Sequence, residues 1–281
     1  MNKLLLIDGS NLLFQMFFGM PARIFNRNHR AVHGTVGFVG ALLKIIRMTA
    51  PTHIAVLFDG EHENARAALD PQYKANRIDY SEVPEEESPF TQLPDIYAAL
   101  DFLKIKHAET TVCETDDWIA SYAFSYGNDA EIVISSFDSD YFQLISDRVS
   151  VLRYRGEKTT VCTPDFVRAR FNVAPTQYAD FKALVGDAAD NLKGAEKVGT
   201  KTAAALVNRY GTLENVLKNV ERIERVAVRE SVLASVERLR TNFQLIKLTG
   251  GAELPFRLDE LEIGKIEFTA SETLRKIGLL P

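Results

Sequence analysis

Carboxylates standing where apolar strands end constrain this chain most. Leu4-Leu5-Leu6-Ile7 runs into Asp8, and Val56-Leu57-Phe58 runs into Asp59. Ile132-Val133-Ile134 leads through Ser135-Ser136-Phe137 to Asp138 and Asp140. Glu114, Asp116 and Asp117 crowd together just before an apolar helical pattern that starts at Trp118. A strand that ends in an acid carries it to the carboxyl edge of a sheet, where open α/β folds place their ligands. Carboxylates gathered within a few ångströms repel one another, so they demand cations. With no His or Cys in these motifs, hard oxygen ligands point to Mg²⁺ or Mn²⁺.

Apolar periodicity predicts strands at Lys3–Ile7, His53–Phe58, His107–Val112, Glu131–Ser135 and Val149–Tyr154. It predicts helices starting at Leu12 and Tyr141, and others over Gly34–Met48, Thr91–Phe102, Thr115–Tyr126 and Tyr178–Val185. Strand, helix, strand predicts a right-handed parallel crossover. Thr163-Pro164 reads as a helix N-cap followed by proline at the first helical position. Beyond it, Gly194 to Leu213 reads as short helix, glycine hairpin and short helix. The helix after Gly199 would aim backbone N–H groups and Lys201 at a phosphate.

The chain has 281 residues, enough for one large domain or two modest ones. No apolar run approaches the roughly 18 residues of a membrane span. The N-terminus reads as a strand rather than a signal peptide. Two cysteines make no disulfide framework, and a reducing cytoplasm fits. The five histidines show no metal-ligand spacing. A net charge of −5 argues against nucleic acid until the nine candidate metal-site acids are set aside, which leaves 29 acids against 33 bases. Charge is also uneven: Lys193 to Lys247 holds 11 bases and 6 acids, whereas Ile78 to Asp101 holds seven acids and no Lys or Arg.

Taken in order, these motifs resemble the 5′-nuclease family, the flap endonucleases and the 5′-3′ exonuclease domain of bacterial DNA polymerase I. The resemblance covers nearly the whole chain. It rests on Leu6-Ile7-Asp8-Gly9, Phe58-Asp59, Tyr73-Lys74-Ala75-Asn76-Arg77, Glu114-Thr115-Asp116-Asp117, Asp138-Ser139-Asp140, Gly186-Asp187-Ala188-Ala189-Asp190-Asn191 and the hairpin. It implies an α/β fold, with a central, mostly parallel sheet flanked by helices and a helical helix-hairpin-helix region. The expected division is a nuclease domain over 1–163 with a bridge at about 70–95, a DNA-binding region over 164–250, and a tail over 251–281 packing back on the nuclease domain. With no polymerase segment following, a stand-alone bacterial or phage form is expected.

The resemblance assigns Asp8, Asp59, Glu114 and Asp116 to a first metal. Asp138, Asp140, Asp187 and Asp190 go to a second, partly through water, with Asp117 near both. Lys74 and Arg77 are the expected catalytic contacts to the scissile phosphate. Arg66, Tyr73, Lys197, Gly199, Thr200 and Lys201 are expected at DNA, and K⁺ at the hairpin. The implied substrates are 5′ flaps, nicks and 5′ ends, cut by a cytoplasmic monomer to leave 5′-phosphate and 3′-hydroxyl. Two metal ions would activate a water and steady the leaving oxygen. Four features depart from the family pattern. Gln15 stands for Arg, Ser139 for the Lys between paired acids, and Lys197 for a hairpin glycine, and the bridge is acidic and proline-broken. If the Lys197 position requires positive φ, the hairpin must differ. Two other classes stay open, an acid-cluster ribonuclease and a branched-DNA-binding protein without catalysis. The hairpin argues against the first, and retention of all nine acids against the second.

Overall fold

Unbroken runs of Leu, Ile and Val make strands that are covered on both faces. The computed structural model describes residues 2–60, 65–80 and 82–281. In it, β1 (Asn2–Asp8), β2 (His53–Phe58), β3 (Lys106–Glu109), β4 (Ala130–Ser135) and β5 (Val149–Arg153) form a parallel sheet, closed at one edge by the antiparallel β6 (Thr160–Cys162). The strand order is β3-β2-β1-β4-β5-β6. From β1 the chain moves outward to β2 and β3, then returns to β4 on the other side. The reversal opens a crevice at the carboxyl end of β1, and Asp8 stands there.

Alternation along each strand divides the interior into two cores. Leu5, Ile7, Ile54 and Val56 pack against α1 (Gly9–Gly19), α2 (His33–Thr49) and α3 (Leu93–Phe102) through Leu13, Phe38, Leu42 and Leu100. Leu4, Leu6, Leu57, Ile132 and Ile134 face the other way, onto α4 (Thr115–Tyr126). Each such side chain contributes about 1.5–3 kcal/mol relative to exposure.

The second core continues into the helical region. That region comprises α5 (Pro164–Phe171), α6 (Tyr178–Val185), the tiny ribbon β7 (Gly186–Asp187) and β8 (Leu192–Lys193), α7 (Thr200–Tyr210), α8 (Leu213–Lys218), α9 (Val226–Leu233) and α10 (Val236–Ile246). Beyond it, Ile263 donates its N–H to the Thr52 carbonyl at 3.0 Å. Leu274, in α11 (Ala270–Lys276), is buried in the core beneath α2. No helix among the described residues is long and apolar enough to cross a membrane.

Several elements differ from what periodicity predicts. The helix expected from Leu12 already begins at Gly9, because the Asp8 carboxylate caps α1 by accepting the Asn11 N–H. The strand expected over His107–Val112 ends at Glu109, so Glu114 reaches the site from a loop and caps α4. The helix expected from Tyr141 is one 3₁₀ turn, Asp140–Leu144. Three residues, Thr160–Cys162, are too few to register as a strand in the apolar pattern. Within the bridge, where Ser81 lies outside the described residues, short 3₁₀ turns stand at Glu85–Glu87 and Pro89–Gln92.

Candidate functional site

Asp8 is buried at the floor of the crevice. One of its oxygens accepts the Asn11 N–H at 3.0 Å and the other accepts the Ser136 hydroxyl at 2.8 Å. The fully buried Tyr141 hydroxyl lies between Asp8, at 3.3 Å, and Asp116, at 2.5 Å. Burial, with Asp59 and Asp138 adding their charge, pushes Asp8 up to about 7 against the opposing hydrogen bonds from Asn11 and Ser136. Burial and Asp138 likewise raise Asp116 well above the carboxylate range. Asp59, at the mouth, accepts the Thr115 N–H at 2.9 Å and so ties the end of β2 to the first turn of α4. Asp138 follows β4 and accepts the Asp140 N–H at 2.8 Å.

Cations from elsewhere in the chain partner the acids. Arg66 pairs with Glu114, and with Asp117 at 2.7 Å. Burial disfavours its charge, yet Glu114 and Asp117 win and raise its pKa. Lys74 Nζ lies 2.7 Å from Glu114, and Arg77 lies 2.8 Å from Asp190. Bonds to backbone carbonyls hold this segment in place: the Lys74 N–H donates to the Asp190 carbonyl at 3.0 Å, the Asn76 side-chain amide to the Ala188 carbonyl at 3.1 Å, and the Asn191 side-chain amide to the Gln72 carbonyl at 2.8 Å. Two motifs more than a hundred residues apart thus form one wall. Tyr73 is 6% exposed, with its hydroxyl 3.4 Å from Glu114, so it offers no open face for a base to stack on.

Asp140, Asp187 and Asp190 come together as a triad whose carboxylate oxygens lie within 4.8 Å of one another. Gly186 makes the approach possible. Its φ is +86°, and a Cβ there would lie 2.4 Å from the Gly194 nitrogen. Sequence reasoning missed Lys182, which is buried on α6 and pairs with Asp140, and with Asp187 at 2.5 Å. Burial works against the Lys182 ammonium, but Asp140, Asp138 and Asp187 more than offset it and hold it charged. Burial pushes Asp187 up, yet Lys182 leaves it below its ordinary value. A lone lysine within the apolar run Ala179-Asp180-Phe181-Lys182-Ala183-Leu184 was the available signal. Tyr141, directly after Asp140, gave none beyond its adjacency.

The donor set, carboxylate oxygens crowded in a partly buried crevice, fits a hard divalent cation. Lys197, Gly199, Thr200 and Lys201 are exposed around the start of α7, where no side chain caps the helix. Lys197 takes φ +62°, so this position does require the left-handed conformation and lysine adopts it. Lys197→Gly is therefore expected to stabilise the fold by about 1 kcal/mol, read as a higher urea midpoint with an unchanged slope. Gln15 donates to the Tyr154 carbonyl at 2.7 Å, so its amide is engaged within the fold.

Two family models cover the chain: "5'-3' exonuclease, N-terminal resolvase-like domain" matches residues 3–172, and "5'-3' exonuclease, C-terminal SAM fold" matches residues 173–269. The chain belongs to the 5′-3′ exonuclease family. Members of this family, flap endonucleases among them, are hydrolases of DNA phosphodiester bonds. This exonuclease-family chain is 34% identical over 258 residues to the thermostable DNA polymerase I of Thermus thermophilus, covering 92% of itself and 30% of that polymerase. It thus spans under a third of the length of that relative. Among solved structures, the bacteriophage T5 5′-exonuclease with zinc bound matches with a TM-score of 0.72 at 21% identity, over 87% of this chain and 89% of that one. The catalytic core of Rad2 in complex with DNA substrate matches with a TM-score of 0.63 at 13% identity, over 98% and 93%. These likenesses bear out the α/β fold with a mostly parallel central sheet and a helical C-terminal region.

Proposed function

We propose that the chain is a structure-specific 5′ nuclease that hydrolyses DNA at 5′ flaps, nicks and 5′ ends during replication and repair. The observation that carries this is the convergence of all nine acids, from five separate stretches of sequence, on the crevice at the carboxyl end of β1 and the α6–β8 wall beside it. Asp8, Asp59, Glu114 and Asp116 would hold one Mg²⁺ or Mn²⁺. Asp138, Asp140, Asp187 and Asp190 would hold a second, with Asp117 beside both. When bound, such ions lower the pKa of a water and neutralise charge on the phosphate. The protein's own groups orient and neutralise. Tyr141 fixes Asp8 and Asp116 relative to each other. Lys74 and Arg77, on the wall facing the acids, engage the scissile phosphate in the transition state.

The exposed start of α7 supports duplex binding by Lys197, Gly199, Thr200 and Lys201, with K⁺ at the hairpin. The division into nuclease domain, bridge, hairpin region and returning tail, the monomeric state and a cytoplasmic location belong to the same reading. Removing one phosphate contact lowers the salt slope of binding by roughly 1. Lys201→Ala is expected to weaken duplex binding with that change of slope, measured by fluorescence anisotropy from low to moderate salt. An unchanged slope would show Lys201 to be a solvated surface residue. The reading as a whole is tested by comparing cleavage of flap, nicked, single-stranded and RNA substrates. Preference for the 5′-flap duplex supports it, and preference for RNA would favour the acid-cluster ribonuclease.

A further inference from the structure

Among the described residues, one group of acids has the spacing of a metal-ligand triad, Asp140, Asp187 and Asp190, and a lysine from the same molecule already occupies part of it. Lys182 is 6% exposed. Its ammonium pairs with Asp140, lies 2.5 Å from Asp187 and donates to the Ser139 hydroxyl at 3.3 Å. Its charge therefore sits where the sequence between the paired acids supplies only Ser139. An ammonium bonded to two of three ligands cannot stay there when a divalent cation joins them. The two charges would lie a few ångströms apart in a poorly solvated pocket, and the oxygens facing Lys182 would be shared. Lysine suits a removable partner, because its charge rides on a flexible four-carbon stem. Ser139 offers the ammonium an acceptor outside the triad.

We propose that Lys182 is a built-in counter-cation of the second metal site, holding Asp140 and Asp187 together in the metal-free protein and leaving them when a divalent ion binds. This rests on the nuclease reading of the acid cluster. The ion at Asp140, Asp187 and Asp190 binds more weakly than the protein's ligands alone would allow, because each binding event includes displacement of Lys182. Between Asp8 and Asp116 stands the uncharged Tyr141 hydroxyl, while Glu114 at that end is paired with Arg66 and Lys74.

The test uses the full chain without DNA, so that no turnover enters. Mn²⁺ binding is measured by calorimetry for the wild type and for Lys182→Met, and both are melted in EDTA and in saturating Mn²⁺. One Mn²⁺ step, that at the Lys182 site, is expected to tighten by about tenfold or more in Lys182→Met. In EDTA the variant is expected to melt roughly 5–10 °C below the wild type, because two buried carboxylates lose their partner. In saturating Mn²⁺ that gap closes. Unchanged or weaker Mn²⁺ binding would overturn the proposal.

A second measurement needs no variant in the test sample. The Lys182 ammonium signal in a ¹H–¹⁵N spectrum of the wild type, assigned by its disappearance in Lys182→Arg, is expected to be protected without metal and to shift or vanish as Mg²⁺ saturates. A signal that Mg²⁺ leaves unmoved would overturn the proposal too. Wild-type cleavage of a flap substrate reports on the nuclease reading alone, so the two ideas fail separately.

Discussion

Asp8→Asn is expected to raise the stability of the metal-free protein at pH 8 by about 2–4 kcal/mol while cutting its cleavage rate by about 10²–10³-fold or more. Both effects have one cause. Asp8 is buried, and burial together with Asp59 raises its pKa from 3.8 to about 7. A carboxyl whose folded-state value is raised binds its proton more tightly in the native state. Its contribution to stability is therefore fully present below the unfolded value and is lost as pH rises through the folded one. The Asp8 share of metal-free stability should fall between about pH 4 and pH 7 and then level off. Asparagine carries no charge to desolvate. It can still cap α1 through its oxygen and meet the Ser136 and Tyr141 hydroxyls through its amide.

The advantage of the Asp8→Asn variant should be present at pH 8 and vanish near pH 4. Chemical denaturation in EDTA at the two pH values checks it. A variant no more stable than the wild type at pH 8 would show that Asp8 is better solvated than its surroundings indicate. Under the proposed function cleavage falls because the same charge, unwelcome in the buried crevice, is one of those that would hold the divalent ion.

Lys74→Ala is expected to slow the single-turnover cleavage of bound DNA by about 10²–10³-fold, with a much smaller change in substrate affinity. Lys74 holds φ +58°, and its N–H is fixed on the Asp190 carbonyl. Its ammonium lies 2.7 Å from Glu114 and 4.8 Å from the centre of the Tyr73 ring. The ammonium is therefore aimed at the acid cluster, where the proposed function places the scissile phosphate, rather than at the exposed start of α7 proposed to bind the duplex. An interaction made only in the transition state lowers the chemical step and leaves ground-state binding nearly alone. Rapid-quench kinetics with enzyme in excess separate the two. A loss confined to affinity would move Lys74 from the chemistry to the binding surface.

The central strands β1, β2 and β4 were legible because they are buried on both faces, and runs such as Leu4 to Ile7 admit little else. Asp8, Asp59, Asp138 and Asp140 were legible because each stands at or near the end of such a run, and Glu114, Asp116 and Asp117 because they crowd before an apolar helical pattern. What pairs with them was not. Arg66 meets Glu114 across 48 residues, and Arg77 meets Asp190 across 113, distances over which no local spacing speaks. Lys182 looked like any lysine on a short helix until α6 packed against the 3₁₀ turn that carries Asp140. Tyr73 sat among basic residues and was expected at DNA, yet the docking of its segment on the Asp187–Asn191 loop turns the ring inward. The left-handed turn at Lys197 was foreseen as a conflict. The structure resolves it through a residue that tolerates the conformation at modest cost.

The most direct test of the account is cleavage of a 5′-labelled flap duplex by the wild type with Mg²⁺, with Mn²⁺ and with EDTA, the products being mapped at nucleotide resolution. Metal-dependent cutting near the flap junction that leaves 5′-phosphate and 3′-hydroxyl ends is expected, with none in EDTA and loss of the product in Asp8→Asn. Cutting that persists in EDTA, or an intact flap with both metals, would contradict it.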